Sequence, residues 1–302
     1  MTAPDAQPDR PVLGLSLIVL FCLAIPFSDA LSKLMAEAGL AVVAIIAVRF
    51  LVQGGVLVPA AWAMGQSFRF SATGWWLTAA RTALQVAGLW TIVTALRFMP
   101  LADTMAIVFV MPLILLLFGH LFAGEHVGPH RLAACVAGFG GTLMVIQPAF
   151  AEVGWIVLLP LATAVIFAAF MMITRRLSRE VGAVAMQGAS GAMGAAGLAA
   201  WLAAFGVPEA PPAPFPGGWW PILLLAGLVG TLAHLLMTAS LRYAPSSTLA
   251  PMQYLEIPMA TLVGWAVFGE LPNGLAAVGI VVTIAVGLYV IARERRAAQV
   301  PA

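Results

Sequence analysis

Apolar stretches of about 20 residues, enough to cross about 30 Å of hydrocarbon as a helix, follow one another along nearly the whole chain. Cut at clusters of glycine, proline and charge, the sequence gives ten segments: Leu13–Leu34, Ala41–Ala61, Gly74–Leu96, Leu101–Leu121, Arg131–Ile146, Trp155–Thr174, Val181–Phe205, Trp219–Leu241, Ser246–Phe268 and Leu275–Ile291. Without water, each backbone N–H and C=O must be satisfied within its own segment, and a helix does that alone. The sequence therefore predicts an all-α integral membrane fold of ten transmembrane helices. The fifth and tenth are expected to be the shortest. Composition agrees: 62% of the 302 residues are hydrophobic and 9% are charged, with a mean hydropathy of +1.03. A soluble domain carries about 25% charged residues. The longest connection, Gly206 to Gly218, holds Pro208, Pro211, Pro212, Pro214 and Pro216 and is expected to be an extended loop.

Charge is sparse but unevenly placed. Thirteen of the fourteen basic residues are arginine, and Lys33 is the single lysine. With the N-terminus in the cytoplasm, Arg10, Arg69, Arg131, Arg175, Arg176, Arg179, Arg242, Arg293, Arg295 and Arg296 collect on that side, against Lys33 and Arg97 on the other. The positive-inside rule then places both termini in the cytoplasm. No basic patch of the nucleic-acid-binding kind is present. Cys22 and Cys135 both fall in apolar runs, where cysteine packs as a small hydrophobe.

Shifting the chain on itself by 145 positions aligns ALRFMPLADTMA at Ala95 with SLRYAPSSTLAP at Ser240. The same register pairs Gly119 with Gly264, Gly124 and Glu125 with Gly269 and Glu270, and Val145 and Ile146 with Val290 and Ile291. One residue out of step, Gly74, Trp75 and Trp76 match Gly218, Trp219 and Trp220. The chain thus reads as two five-helix repeats, 1–147 and 148–302. An odd number of spans turns the second upside down relative to the first, and inverted repeats favour alternating access.

These features resemble the drug/metabolite transporter superfamily in its ten-span form with two EamA-type domains. The resemblance is carried by SDALSKLM ending the first span, AVRF around Arg49, the repeated segments opening the fourth and ninth spans, and the Gly-Glu pair after each. It covers about Gly14 to Ile291. It implies a central cavity between the third, fourth, eighth and ninth helices and substrates such as amino acids, nucleotide-related metabolites or drugs. Within the superfamily the chain looks most like the amino-acid exporters, those for aromatic amino acids included.

A charge within a span costs about 2.5–3.5 kcal/mol at mid-depth, so each one needs a partner, a wet cavity or a route to the interface. Glu256 sits near the bilayer centre, with Gln253 one turn away and Pro251 and Pro258 on either side. His234 shares a face with Thr231 and Thr238 and is placed to meet Glu256. Thr78, Arg81, Thr82 and Gln85 form one polar stripe. Trp90 and Tyr254 lie deep enough to line a cavity. Arg81, Gln85, Trp90, His234, Gln253, Tyr254 and Glu256 are thus the candidate substrate-binding residues. Asp29, Lys33, Arg49 and Asp103 form a candidate gate or charge network, with Asp29 and Lys33 spaced to pair along one helix face and Arg49 entering from the same side, where a contact with Asp29 would neutralise both. Glu125 and Glu270 read as residues of solvated turns. Trp75, Trp76, Trp219 and Trp220 read as interfacial anchors.

The expected activity is alternating-access transport of a small organic solute across a bacterial-type cytoplasmic membrane, with amino-acid export first. A zwitterion would lie between Arg81 with Gln85 and Glu256 with Gln253. The alternatives are export of other metabolites or drugs, such as nucleoside-like or cationic compounds, or a channel or intramembrane enzyme. An enzyme is disfavoured, as no HExxH helix, aspartate-rich cluster or His/Cys ligand spacing occurs. No cofactor or metal is expected. The expected partners are a small-molecule substrate and the lipid bilayer, and a monomer is compatible with the sequence.

Overall fold

The computed structural model describes residues 11–111, 113–115, 117–118, 129–178, 180–206, 215–244 and 249–298. Glu125, Arg10, Arg179, Pro208, Pro211, Pro212, Pro214 and the expected start of the ninth span at Ser246 lie outside them. The described helices are α1 (Pro11–Glu37), α2 (Val42–Ala63), α3 (Ala72–Leu96), α4 (Leu101–Val108), α5 (Pro129–Val153), α6 (Leu158–Leu177), α7 (Ala183–Phe205), α8 (Trp220–Tyr243), α9 (Glu256–Phe268) and α10 (Gly274–Ala298). Among the described residues, six helical stretches are long and apolar enough to cross a membrane, one of them running 42 residues from Val136 to Leu177. That stretch is interrupted at Gly154, whose φ of +63° is open to glycine, and a single 3-10 turn links α5 to α6. The chain is an all-helical membrane protein.

Helix ends follow local chemistry. Ser71 caps α3 by accepting the Gly74 N–H at 2.9 Å. Two boundaries depart from expectation. Helices α5 and α10 are not short, each having 25 residues. Apolar content ends before the helix does, because Pro148 is tolerated within α5 and α10 runs on through its terminal arginines.

The ninth segment is not one helix. Residues Ala250–Leu255 form a 3-10 turn and α9 begins only at Glu256. Pro258 has no N–H to give the Tyr254 carbonyl, so the α ladder cannot pass that point intact. In the first half, α4 ends at Val108, and a proline at position 112 likewise has no N–H for the Val108 carbonyl. Phe109 and Tyr254 stand at these two breaks, 145 positions apart, and their rings pack with centroids 5.4 Å apart.

Packing between the two halves dominates the bundle: α1 lies on α8, α2 on α7, α3 on α6 and α5 on α10. A shift of 145 positions exchanges the first of these pairings with the third and maps the other two onto themselves. The self-paired crossings are made of glycine. A Cβ on Gly54 of α2 would lie 2.9 Å from the Ala192 nitrogen of α7, and one on Gly141 of α5 would lie 2.9 Å from the Gly279 carbonyl of α10. Small residues let backbones touch where lipid supplies no hydrophobic drive for association.

Candidate functional site

Helices α1, α3, α4, α6, α8 and α9 surround a cavity of about 80 Å³. Phe21, Phe167 and Phe170 give it aromatic walls, and Asp29, Gln85, His234 and Glu256 give it polar ones. Phe167 and Phe170 stack at 5.4 Å, a pairing that follows from their separation by one helical turn on α6. Glu256 opens α9 directly after the 3-10 turn, with its own N–H held by the Gln253 carbonyl. Its Oε1 lies 4.0 Å from the Cys22 Sγ, and that thiol also reaches the Met252 carbonyl at 3.5 Å. Pro26 within α1 leaves the Cys22 carbonyl without its helical donor on the same wall.

His234 and Glu256 do line one cavity, as the sequence suggested. The His234 Nδ1 lies 3.0 Å from the Gly230 carbonyl, which can only accept, so Nδ1 carries a hydrogen. Phe21 and Phe170 hold the imidazole edge-on, at 6.5 and 6.4 Å. Asp29 and Arg49 approach to 3.9 Å, and Arg49 donates to the Ser32 hydroxyl at 2.9 Å. Arg49 borders a second void of about 10 Å³, which shares Gln85, Leu89 and His234 with the larger cavity.

A chain of amides supports the site from behind. Gln85 Nε2 donates to Gln53 Oε1 at 3.2 Å, and Gln53 Nε2 donates to the Gln187 carbonyl and Oε1 at 2.8 and 3.0 Å. Gln187 Nε2 donates to the His234 carbonyl at 2.8 Å and to the Thr238 hydroxyl at 2.7 Å. Sequence reasoning passed over Gln53 and Gln187. The missed signal was the cost of an unpartnered amide in an apolar run, which requires partners just as a charge does.

Arg81 is not in the cavity. It is fully buried and donates through Nε to Thr174 at 2.8 Å, through Nη1 to Ser190 at 2.6 Å and through Nη2 to Thr238 at 3.4 Å, with its guanidinium 4.5 Å from the Phe170 ring centroid. These three hydrogen bonds join α3 to α6, α7 and α8, which corrects the expectation that it faces solute. Gln253 is buried with Nε2 3.8 Å from the Met171 sulfur. Tyr254 packs on Phe109. Trp90 is 39% exposed and edge-on to Trp201, away from the cavity, because its position on α3 turns it outward. Among the described lining residues of the larger cavity there is no cation to meet a carboxylate.

Lys33 does not turn back to Asp29. Its Nζ is buried between the Glu37 and Glu270 carboxylates, each at 3.0 Å, and donates to the Leu96 and Met99 carbonyls at 3.2 and 2.7 Å. These carbonyls face it directly from the end of α3, whereas Asp29 is drawn to Arg49. Glu270 also accepts the Leu101 N–H at 3.2 Å, so it is a structural anion, not a residue of a free turn. Asp103 lies buried in the first turn of α4, its Oδ1 without a hydrogen-bond partner among the described residues. At the opposite end, Arg175 donates to the Leu241 carbonyl and, at 3.0 Å, to that of Ala244. Leu241 and Ala244 stand 145 positions after the two residues that Lys33 holds.

The EamA-like transporter family model matches residues 12–147 and again 154–293. A riboflavin transporter of Rhizobium johnstonii is 30% identical over 241 residues, 75% of this chain and 74% of that protein. A riboflavin transporter of Vibrio cholerae is 28% identical over 227 residues, 73% of each chain. More distantly, an S-adenosylmethionine uptake transporter of Rickettsia bellii is 21% identical over 67% of each chain. A solved structure titled "Crystal structure of protein" shares the fold, with a TM-score of 0.69 over 93% of this chain and 98% of that one at 21% identity. These relatives replace the expected amino-acid exporters. With two matches that together span most of its length, the chain belongs to the EamA-like transporter family and is a transporter of small metabolites, not an enzyme.

Proposed function

We propose that the protein is an alternating-access carrier of riboflavin or a solute of the same class, a flat polycyclic ring with a hydrogen-bonding edge. The observation that carries this reading is a cavity with three phenylalanine walls beside polar acceptors, in a chain similar to riboflavin transporters over three quarters of its length. Aromatic walls suit a planar ring. At about 80 Å³ the cavity is well below the roughly 300–1,000 Å³ of a ligand pocket, so solute entry requires the helices to part.

The reading includes ten spans in two inverted halves, with both termini on the cytoplasmic side of a bacterial-type inner membrane. The 145-residue register and the exchange of helix pairings under it support this. Lys33 then closes the outer end and Arg175 the inner one, each by gripping the same pair of carbonyls in its own half.

Purified protein in liposomes preloaded with riboflavin is expected to take up labelled riboflavin by saturable counterflow. Flux that rises linearly with concentration, or single-channel current, rejects a carrier. Phe167→Ala is expected to raise the half-saturating concentration about tenfold, the equivalent of ~1.4 kcal/mol of ring contact, with the maximal rate less affected. Lys33→Met removes the outer clamp. In a background with Cys22→Ser and Cys135→Ser, a cysteine at Ile92, on the cavity wall, is expected to react faster with an impermeant maleimide when Lys33 is replaced. An unchanged labelling rate removes Lys33 from the gate.

A further inference from the structure

We infer that Gln85 and Thr231 read the imide edge of the substrate, Gln85 Oε1 accepting a ring N–H while the Thr231 hydroxyl donates to the neighbouring ring carbonyl, an assignment that rests on the flavin reading above.

The orientation of Gln85 is fixed from a distance. A backbone carbonyl can only accept, so the Gln187 carbonyl dictates that Gln53 turns its NH2 group toward α7, and the His234 carbonyl dictates the same for Gln187 toward α8. Gln53 is left with Oε1 facing Gln85, which must answer with its own NH2 group. Reversing Gln85 would set two acceptor oxygens against each other at 3.2 Å. Its remaining atom, Oε1, is buried and has no hydrogen-bond partner among the described residues, on a side chain only 5% exposed that borders both the larger cavity and the smaller void. The Thr231 Oγ1, on a residue 6% exposed, is likewise unpartnered and borders the same void.

Buried polar groups without partners are rare, since each forfeits its hydration. Here an acceptor and a hydroxyl, both unsatisfied, belong to two residues that line one void. A ring imide presents the matching pattern, an N–H donor flanked by carbonyl acceptors. The two voids share Gln85, Leu89 and His234, so modest movement of those side chains joins them into one site, with the phenylalanines around the ring body and Gln85 and Thr231 at its edge. Gln53 and Gln187 act as positioning residues, since they determine which end of Gln85 meets solute.

The test is competition against labelled riboflavin uptake in liposomes, comparing riboflavin with 3-methylriboflavin, which keeps the ring, its carbonyls and the ribityl chain but has no imide N–H. In the wild type, half-inhibition by the methylated flavin is expected to need a concentration about tenfold higher or more, because its arrival leaves the Gln85 acceptor buried and unpaired. In Gln85→Leu the ratio is expected to fall to about one. Gln53→Leu keeps the local volume but frees the Gln85 amide to rotate, and the ratio is expected to fall there too. A wild-type ratio near one overturns the inference without recourse to any variant. A ratio that persists in Gln85→Leu or Gln53→Leu overturns it as well, since that pattern is steric rejection of the methyl group. A wild type that takes up no flavin at all rejects the flavin reading itself, and the inference with it.

Discussion

Arg81→Ala is expected to leave a protein that loses its fold at markedly lower temperature in detergent, with transport lost as a consequence of that instability. The side chain is the largest of the fully buried ones and supplies separate donors to hydroxyls on α6, α7 and α8. Its removal opens a void between four helices and takes a charge-assisted donor from Thr174, Ser190 and Thr238 together, a loss of about 3 kcal/mol or more. Arg81→Lys is expected to restore little, since an ammonium on a flexible stem cannot direct donors to three helices while lying flat on the Phe170 ring. The measurement is the thermal midpoint of detergent-solubilised protein with and without riboflavin. A normal midpoint with lost transport would return Arg81 to the solute path.

Gly191→Ala is expected to do comparable damage, from a single methyl group. A Cβ at this position of α7 would lie against the Gly54 backbone nitrogen of α2. Backbone cannot swing aside as a side chain end can, so α2 and α7 must separate along their crossing, which also costs the contact between Gly188 and the Leu57 backbone. The expected loss is about 3 kcal/mol, the upper range for overpacking, and the readout is recovery of a monodisperse peak on gel filtration. Gly55, whose Cβ would meet nothing within 4 Å, provides the control. Gly55→Ala should behave as wild type, and equal behaviour of the two variants would mean that the crossing is looser than the structure has it.

Much of the architecture was open to inspection in the residues themselves, because lipid imposes one backbone solution and the number of apolar runs then does the rest. What escaped was wherever that rule is relaxed. The interruption before Glu256 depends on Pro258 and on neighbouring helices that satisfy freed carbonyls, and such rescue is a tertiary event. Site residues divided the same way. His234, Gln85 and Glu256 were found by treating intramembrane polarity as costly, and they do share a cavity. Arg81 satisfied the same criterion yet faces hydroxyls, since depth and helix face cannot distinguish a solute from Ser190 on another helix. Glu270 looked like a turn residue because its partner Lys33 is remote in sequence. The amino-acid reading drew no support from the relatives, three of which are riboflavin transporters, because family likeness fixes the scaffold and leaves the solute to the site.

The contact between Phe109 and Tyr254 has a meaning for leakage. A carrier keeps its gradient only if the conformation open at both ends stays unpopulated. The two helix breaks do not sit apart: the aromatic residues that stand at them meet ring on ring. In the proposed carrier, a shift of one break toward its own end would press on the other or withdraw from it, so the opening of one end would be coupled to the other.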